Sequence, residues 1–262
     1  MDLGLKDKVI VIVGGARGIG FATAQELARE GARIALADID GDAAAASAER
    51  LAGETGIKAC GVRIDVTAPE EIRAGLDRIA SDLGPVHGLV ISAAVLDDKQ
   101  FLDSQPSDWK RMIDICLYGP MHLLHAVLPS MIENGGGHVV CMATDAARVG
   151  QARLSYYAAA KAGVTALVKS VAQEVGKHGI TLNIVSPGAT NTELRQQREE
   201  QTRQQIGDEA YARRVKKVES MYPLRRIGAP DDHAAMISLL LSGRASWVTG
   251  QVISVNGGFV MP

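Results

Sequence analysis

The chain has 262 residues, of which 47% are hydrophobic and 22% charged, and its formal net charge is −2. That length suits one large α/β domain and is short for two; the near-neutral charge excludes the basic field that gathers nucleic acid or an anionic membrane surface. Three cysteines, Cys60, Cys116 and Cys141, show no C-x-x-C spacing; no disulfide framework or metal site is expected, and a reducing, cytoplasmic setting fits.

The first strand is expected at Val9–Val13. The run is too short for a signal-peptide core and enters a glycine loop, not a cleavage site; no apolar stretch is expected to approach the length of a membrane span. The loop, Gly14-Gly15-Ala16-Arg17-Gly18-Ile19-Gly20, opens a helix over Ile19–Glu30. Glycines between a strand and a helix let the backbone approach a pyrophosphate, and the helix N-terminus adds free N–H groups and a positive dipole end. The second strand, Arg33–Ala37, delivers Asp38 at its tip. A carboxylate there can accept hydrogen bonds from the adenosine ribose hydroxyls and repels a 2′-phosphate, which favours NAD over NADP. Arg17 argues the other way, since it can reach a 2′-phosphate; no second basic residue follows Asp38, and Ile39-Asp40 adds negative charge.

A helix over Asp42–Thr55 leads to a third strand, Ala59–Ile64, ended by Asp65 and Val66. Asp65 can meet an adenine amino group, and an Asx-turn explains it nearly as well. Further along come a helix at Glu70–Leu83, a strand at Gly88–Ser92, a long helix at Ser107–Asn134, a strand at His138–Met142, a helix at Ser155–His178, a strand at Leu182–Ser186, a helix at Asp231–Leu241 and a last strand at Val252–Val255. Ser107 and Ser155 are candidate N-caps, Pro69 suits a first helical turn, and Gly31 and Gly179 follow helix ends. Continuous apolar strands alternating with helices predict a doubly wound, parallel seven-stranded sheet in one Rossmann-like α/β domain spanning residues 1–262. Residues 193–222, rich in Gln, Arg and Glu, break the rhythm and read as a mobile helical insertion, either a solvated helix pair or a functional lid.

Tyr157 and Lys161 stand four apart in a helical pattern and so share a face. A nearby ammonium favours the phenolate and draws a tyrosine toward operating pH. Thr144 lies thirteen residues before Tyr157, at a strand end. His122 and His125, three apart on a helix, have no third ligand at metal spacing and read as ordinary helix residues. Arg148 and Arg153 flank Gly150 and suit either an anionic substrate or plain solvent exposure.

Taken in order, Gly14…Gly20, Asp38, Asp65, Thr144, Tyr157-x-x-x-Lys161, Pro187-Gly188 and Val255-Asn256-Gly257-Gly258 resemble the short-chain dehydrogenase/reductase family along essentially the whole chain. The resemblance implies catalytic roles for Thr144, Tyr157 and Lys161: the tyrosine handles the substrate proton, the lysine binds the nicotinamide ribose and lowers the tyrosine pKa, and the threonine orients the substrate oxygen. It implies cofactor contacts at Gly14, Arg17, Gly18, Ile19, Gly20, Asp38, Asp65, Val66, Ala93, Ala94, Tyr157, Lys161, Pro187, Gly188 and Thr192. It further implies a small-molecule substrate, a variable substrate loop at 193–222 and a homotetramer.

Several positions depart from the family pattern. Val13 replaces a threonine, the fourth strand reads Leu89-Val90-Ile91-Ser92-Ala93-Ala94 where the family has an Asn-Asn-Ala-Gly motif, and Thr144 replaces serine. Cys116 takes the slot of the family's active-site asparagine, which puts in doubt the water relay behind the lysine; it reads as a small buried helix residue, not a nucleophile.

Short segments point to two substrate types. Tyr157–Gly163 and Val255–Gly258 resemble 3-oxoacyl-carrier-protein reductases, whereas Asp145–Gly150 and His125–Pro129 resemble 2-hydroxycyclohexanecarboxyl-CoA dehydrogenases. Together these features predict an NAD-dependent oxidoreductase acting on a secondary alcohol or ketone, including a cyclic alcohol or hydroxyacyl thioester. The alternatives are an NADPH-dependent ketone or 3-oxoacyl reductase, and a nucleotide-binding protein with weakened catalysis.

Overall fold

A computed structural model describes residues 2–261. Seven strands form one sheet in the order β3-β2-β1-β4-β5-β6-β7. They are β1 (Val9–Val13), β2 (Arg33–Asp38), β3 (Ala59–Arg63), β4 (Val86–Ile91), β5 (Gly137–Met142), β6 (Ile180–Pro187) and β7 (Val252–Val255). Every neighbouring pair is parallel. Parallel neighbours need crossovers, and helices supply them: α1 (Gly18–Arg29), α2 (Gly41–Thr55), α3 (Pro69–Leu83), α4 (Pro106–Ile113), α5 (Gly119–Glu133), α6 (Ala146–Val149), α7 (Ser155–Val175), α8 (Glu193–Ile206), α9 (Asp208–Ser220) and α10 (Pro230–Leu240). This is the doubly wound, single-domain architecture expected.

Side-chain alternation on β1 shows how the layers are built. Val9, Val11 and Val13 face a core shared with Ile72 and Ile79 of α3, Leu123 and Val127 of α5 and Val164 of α7. Ile10 and Ile12 face the opposite core, with Leu27 of α1, Leu51 of α2 and Ile237 of α10. Both faces of the strand are dry, so its apolar run is continuous.

Several local expectations change. The long helix is interrupted: α4 and α5 are joined by a π-helical turn over Asp114–Tyr118, which carries Cys116. Pro106 opens α4 and Gln105 is its N-cap, so Ser107 does not cap it. Leu154 precedes α7 and Ser155 is its first residue, so Ser155 is no cap either. Both serines fall one or two positions inside the helix, past the N-cap position.

The whole run Pro106–Glu133, 28 residues, is long and apolar enough to cross a membrane by length and composition, contrary to the sequence expectation. Its apolar side, with Leu123, Leu124, Val127 and Met131, is instead buried against the sheet. Residues 193–222 are helical as expected, forming α8 and α9, and no described residue of α9 is buried.

Candidate active site

β1 and β4 are neighbours whose crossovers run in opposite directions, and a crevice opens beyond the carboxyl ends of such strands. The glycine loop lies there. Gly14 has φ +77°, and a Cβ on it would stand 2.5 Å from the backbone nitrogen of Ala93, in the segment leaving β4. A Cβ on Gly20 would stand 2.2 Å from the Gly14 carbonyl oxygen. The two glycines thus let the turn, the helix and the β4 exit close on one another. Gly18, with φ +59°, faces Thr192 and Glu193 across the crevice. The first turn of α1 contains no acidic residue and receives no side-chain cap, so its dipole and N–H groups are available to an anion. A dinucleotide pyrophosphate fits this cradle.

Asp38 is the last residue of β2, as expected. Its Oδ2 accepts the Ala16 N–H at 3.3 Å and its Oδ1 accepts the Asp40 N–H at 3.2 Å. The carboxylate is therefore fixed against the glycine loop. Arg17 is exposed at the mouth of α1. Asp65 lies two residues past the end of β3, not at it; its Oδ1 accepts both the N–H and the hydroxyl of Thr67, at 2.8 and 2.7 Å, which is the Asx-turn. Val66 is buried beside it.

Thr144 follows β5 by two residues, and its Oγ1 accepts the Ala146 N–H at 3.3 Å. Tyr157 and Lys161 lie in the first two turns of α7. Lys161 is 1% exposed, and its Nζ donates to the Met142 carbonyl oxygen at 2.8 Å. Burial pulls its ammonium below the usual lysine range. Burial also pushes the Tyr157 phenol up, with the neighbouring Cys116 adding to the rise. In this structure the Lys161 ammonium hydrogen-bonds the end of β5, and burial outweighs any lowering of the Tyr157 phenol. Tyr156 points elsewhere, with its hydroxyl 3.4 Å from Asp97.

Cys116 is fully buried among Met112, Tyr156 and Ala160. Its Sγ lies 3.7 Å from the Val95 carbonyl oxygen and 3.7 Å from the Met112 sulfur. It is a packed core residue in a π turn, as expected of a small buried side chain.

Other candidates are engaged elsewhere. Arg153 pairs with Asp98, and Arg148 donates to Ser254 Oγ at 2.7 Å. His122 Nδ1 sits 3.2 Å from the Val66 carbonyl oxygen, and no metal-binding cluster occurs among the described residues. Arg198 of α8 hydrogen-bonds the Leu96 carbonyl, joining the helical insertion to the β4 exit.

Sequence reasoning missed two buried polar groups. Asp145 is 2% exposed and accepts hydrogen bonds from Ser186 Oγ at 2.8 Å and Asn256 Nδ2 at 2.6 Å. A charged residue two positions after the apolar run Val139–Ala143 was the available signal. His233 of α10 reaches Thr190 Oγ1 at 2.8 Å, and burial pushes its pKa down to about 4. Its signal was a histidine between the acidic first turn, Asp231-Asp232, and the apolar run Ala234-Ala235-Met236.

Residues 14–260 match a protein-family model described as enoyl-(acyl carrier protein) reductase. An acetoacetyl-CoA reductase of Synechocystis sp. is 34% identical, over 98% of each chain. A cyclohexanol dehydrogenase of Acinetobacter sp. is 32% identical over 97% of this chain and 95% of its own. The crystal structure of L-sorbose reductase from Gluconobacter frateurii, complexed with NADPH and L-sorbose, superposes with a TM-score of 0.95 at 27% identity, over 100% of both chains.

Proposed function

Because this chain belongs to the short-chain dehydrogenase/reductase family, we propose that it is an NAD(H)-dependent oxidoreductase interconverting a secondary alcohol and a ketone. The observation that carries the reading is the Lys161 hydrogen bond to Met142, which ties the helix of Tyr157 to the end of β5 two residues before Thr144, in a fold with a glycine cradle after β1 and a carboxylate at the tip of β2. Gly14, Arg17, Gly18, Ile19 and Gly20 hold the pyrophosphate, Asp38 the ribose hydroxyls, and Asp65 and Val66 the adenine. Ala93, Ala94, Lys161, Pro187, Gly188 and Thr192 line the nicotinamide half. The bound nicotinamide supplies or accepts the hydride. Thr144 donates a hydrogen bond to the substrate oxygen. In reduction the neutral Tyr157 phenol gives its proton to the forming alkoxide; in oxidation the phenolate takes the alcohol proton. Lys161 stabilises that phenolate by its charge.

Residues 193–222 act as the substrate loop, a role supported by the Arg198–Leu96 link across the crevice. The substrate is a cyclic alcohol or a hydroxyacyl thioester, consistent with the cyclohexanol dehydrogenase and acetoacetyl-CoA reductase relatives. The assembly is a homotetramer, and a reducing cytoplasm suits the buried free thiols of Cys116 and Cys141.

A second reading, an NADPH-linked ketone or 3-oxoacyl reductase, is favoured by the exposed Arg17 and by the NADPH-bound L-sorbose reductase. The deciding experiment measures turnover with NAD and NADP across cyclic alcohols, hydroxyacyl thioesters and other secondary alcohols, for wild type and Tyr157→Phe. Removing one acid/base group should lower turnover by about 10²–10⁴-fold while cofactor binding changes little. Near-normal turnover in the variant defeats the mechanism, and tight cofactor binding without any turnover supports a nucleotide-binding protein with weakened catalysis.

A further inference from the structure

We propose that Asp145 sets the redox bias of this site: its buried carboxylate favours the cationic, oxidised nicotinamide over the neutral, reduced one, and so favours alcohol oxidation. The inference rests on the reading that the nicotinamide lies against Pro187 and Gly188.

Asp145 is wrapped by that very segment. Its N–H donates to the Pro187 carbonyl oxygen at 3.4 Å, and its Oδ1 accepts from Ser186, the residue before Pro187. Its Oδ2 accepts from Asn256, whose Cα and Cβ lie 3.2 Å from where a Cβ on Gly188 would stand. The amide orientation of Asn256 is fixed, because its Oδ1 accepts the Gly258 N–H at 3.0 Å and its Nδ2 also donates to the Val260 carbonyl at 2.8 Å. Asn256 can therefore only donate to Asp145, and both carboxylate oxygens are acceptors.

What Asp145 lacks is a cation. Among the described residues no Lys, Arg or His forms an ion pair with it, and Arg148, three residues on, is turned to Ser254. Neutral donors offset less of a carboxylate's field than a cation would, and in a water-poor interior that field acts over several ångströms with little screening. The oxidised nicotinamide ring carries a positive charge that the reduced ring lacks. On the protein, alcohol plus oxidised cofactor is in balance with ketone, reduced cofactor and a proton. A negative charge held against the Pro187–Gly188 segment favours the first pair.

The test is the ratio of dissociation constants, Kd of the oxidised over Kd of the reduced cofactor, by fluorescence titration with whichever of NAD and NADP binds. Asp145→Asn removes the charge and keeps the shape, and the ratio should rise by about three- to tenfold. Ser186→Ala keeps the charge and disturbs the same hydrogen bonds, so both constants should move together. A purely structural role for Asp145 changes both constants equally in Asp145→Asn too, and that result overturns the proposal. If Asp145→Asn does not fold, the wild type decides: oxidised cofactor should bind within about tenfold of the reduced form, and a larger preference for the reduced form overturns it. Failure of both cofactors to bind at all defeats the oxidoreductase reading itself, a result distinct from either ratio.

Discussion

Replacing Lys161 with methionine should make the cofactor-free protein more stable and the enzyme inactive. Two effects oppose each other. Methionine keeps most of the length but leaves the Met142 carbonyl without the donor now at 2.8 Å, a loss of about 1–3 kcal/mol if nothing replaces it. Against that, the ammonium is 1% exposed and has no carboxylate partner among the described residues. Burying such an ion costs several kcal/mol. Relief of that cost is the larger effect, and the net gain should be about 1–3 kcal/mol. In a chain of this size each kcal/mol moves Tm by about 2–4 °C. The pH dependence carries the sign. Burial lowers the Lys161 pKa in the folded state, so between that value and the unfolded value, about 10.4, the unfolded chain binds the extra proton. Wild-type stability therefore rises with pH through this window, and the gap to Lys161→Met narrows as pH approaches 10.4. Urea unfolding followed by circular dichroism at pH 7 and pH 9.5 measures it, with turnover assayed on the same preparations. A variant less stable than wild type at pH 7, or a gap indifferent to pH, refutes the argument that this lysine is held at a cost to the fold.

The other expectations concern three separate positions. Wild type should bind NADH at least about tenfold more tightly than NADPH, since one like-charge clash at Asp38 exceeds the roughly 1.4 kcal/mol involved; Asp38→Ser should narrow the gap, and equal or tighter NADPH binding by wild type sinks the NAD assignment. His233 stays neutral in the fold down to about pH 4 while the unfolded chain takes up the proton near pH 6.5. Wild type should therefore lose up to about 1.4 kcal/mol per pH unit as pH falls through that window, a loss absent from His233→Leu in paired thermal melts. Cys116→Asn should cost about 1–3 kcal/mol by overpacking, because the thiol is already 3.7 Å from both Val95 and Met112; unchanged stability with raised turnover would show that the amide is welcome and the thiol a defect.

The sheet was legible because strands buried on both faces must be apolar throughout, and each of the seven runs lies within two residues of its observed strand. Glycine spacing placed the cradle for the same kind of reason: a Cβ 2.2 Å from a carbonyl leaves no other residue possible at Gly20. Less legible were features set by tertiary contact. The π turn at Asp114–Tyr118 breaks no composition rule, and helical periodicity runs across it. The direction of the Lys161 side chain depends on the end of β5, nineteen residues earlier, which spacing within α7 cannot report. Asp145 looked like one more acidic residue near a loop, because its partners come from Ser186 and Asn256 far along the chain.

Those last two residues explain more together than apart. Lys161 hangs on Met142, and Asp145 lies three residues further along the same exit from β5, with Thr144 between. Both are buried and both are ionisable, yet each is satisfied by neutral groups: a carbonyl for the lysine, a hydroxyl and an amide for the aspartate. A direct ion pair would have recovered part of the desolvation cost of each, but would also have cancelled the two fields. Kept apart, each keeps a field of its own for the proposed phenolate and the proposed cationic ring to feel. Burial of Lys161 at this strand end therefore costs stability, and the fold tolerates it because the surrounding strands, dry on both faces, supply the difference.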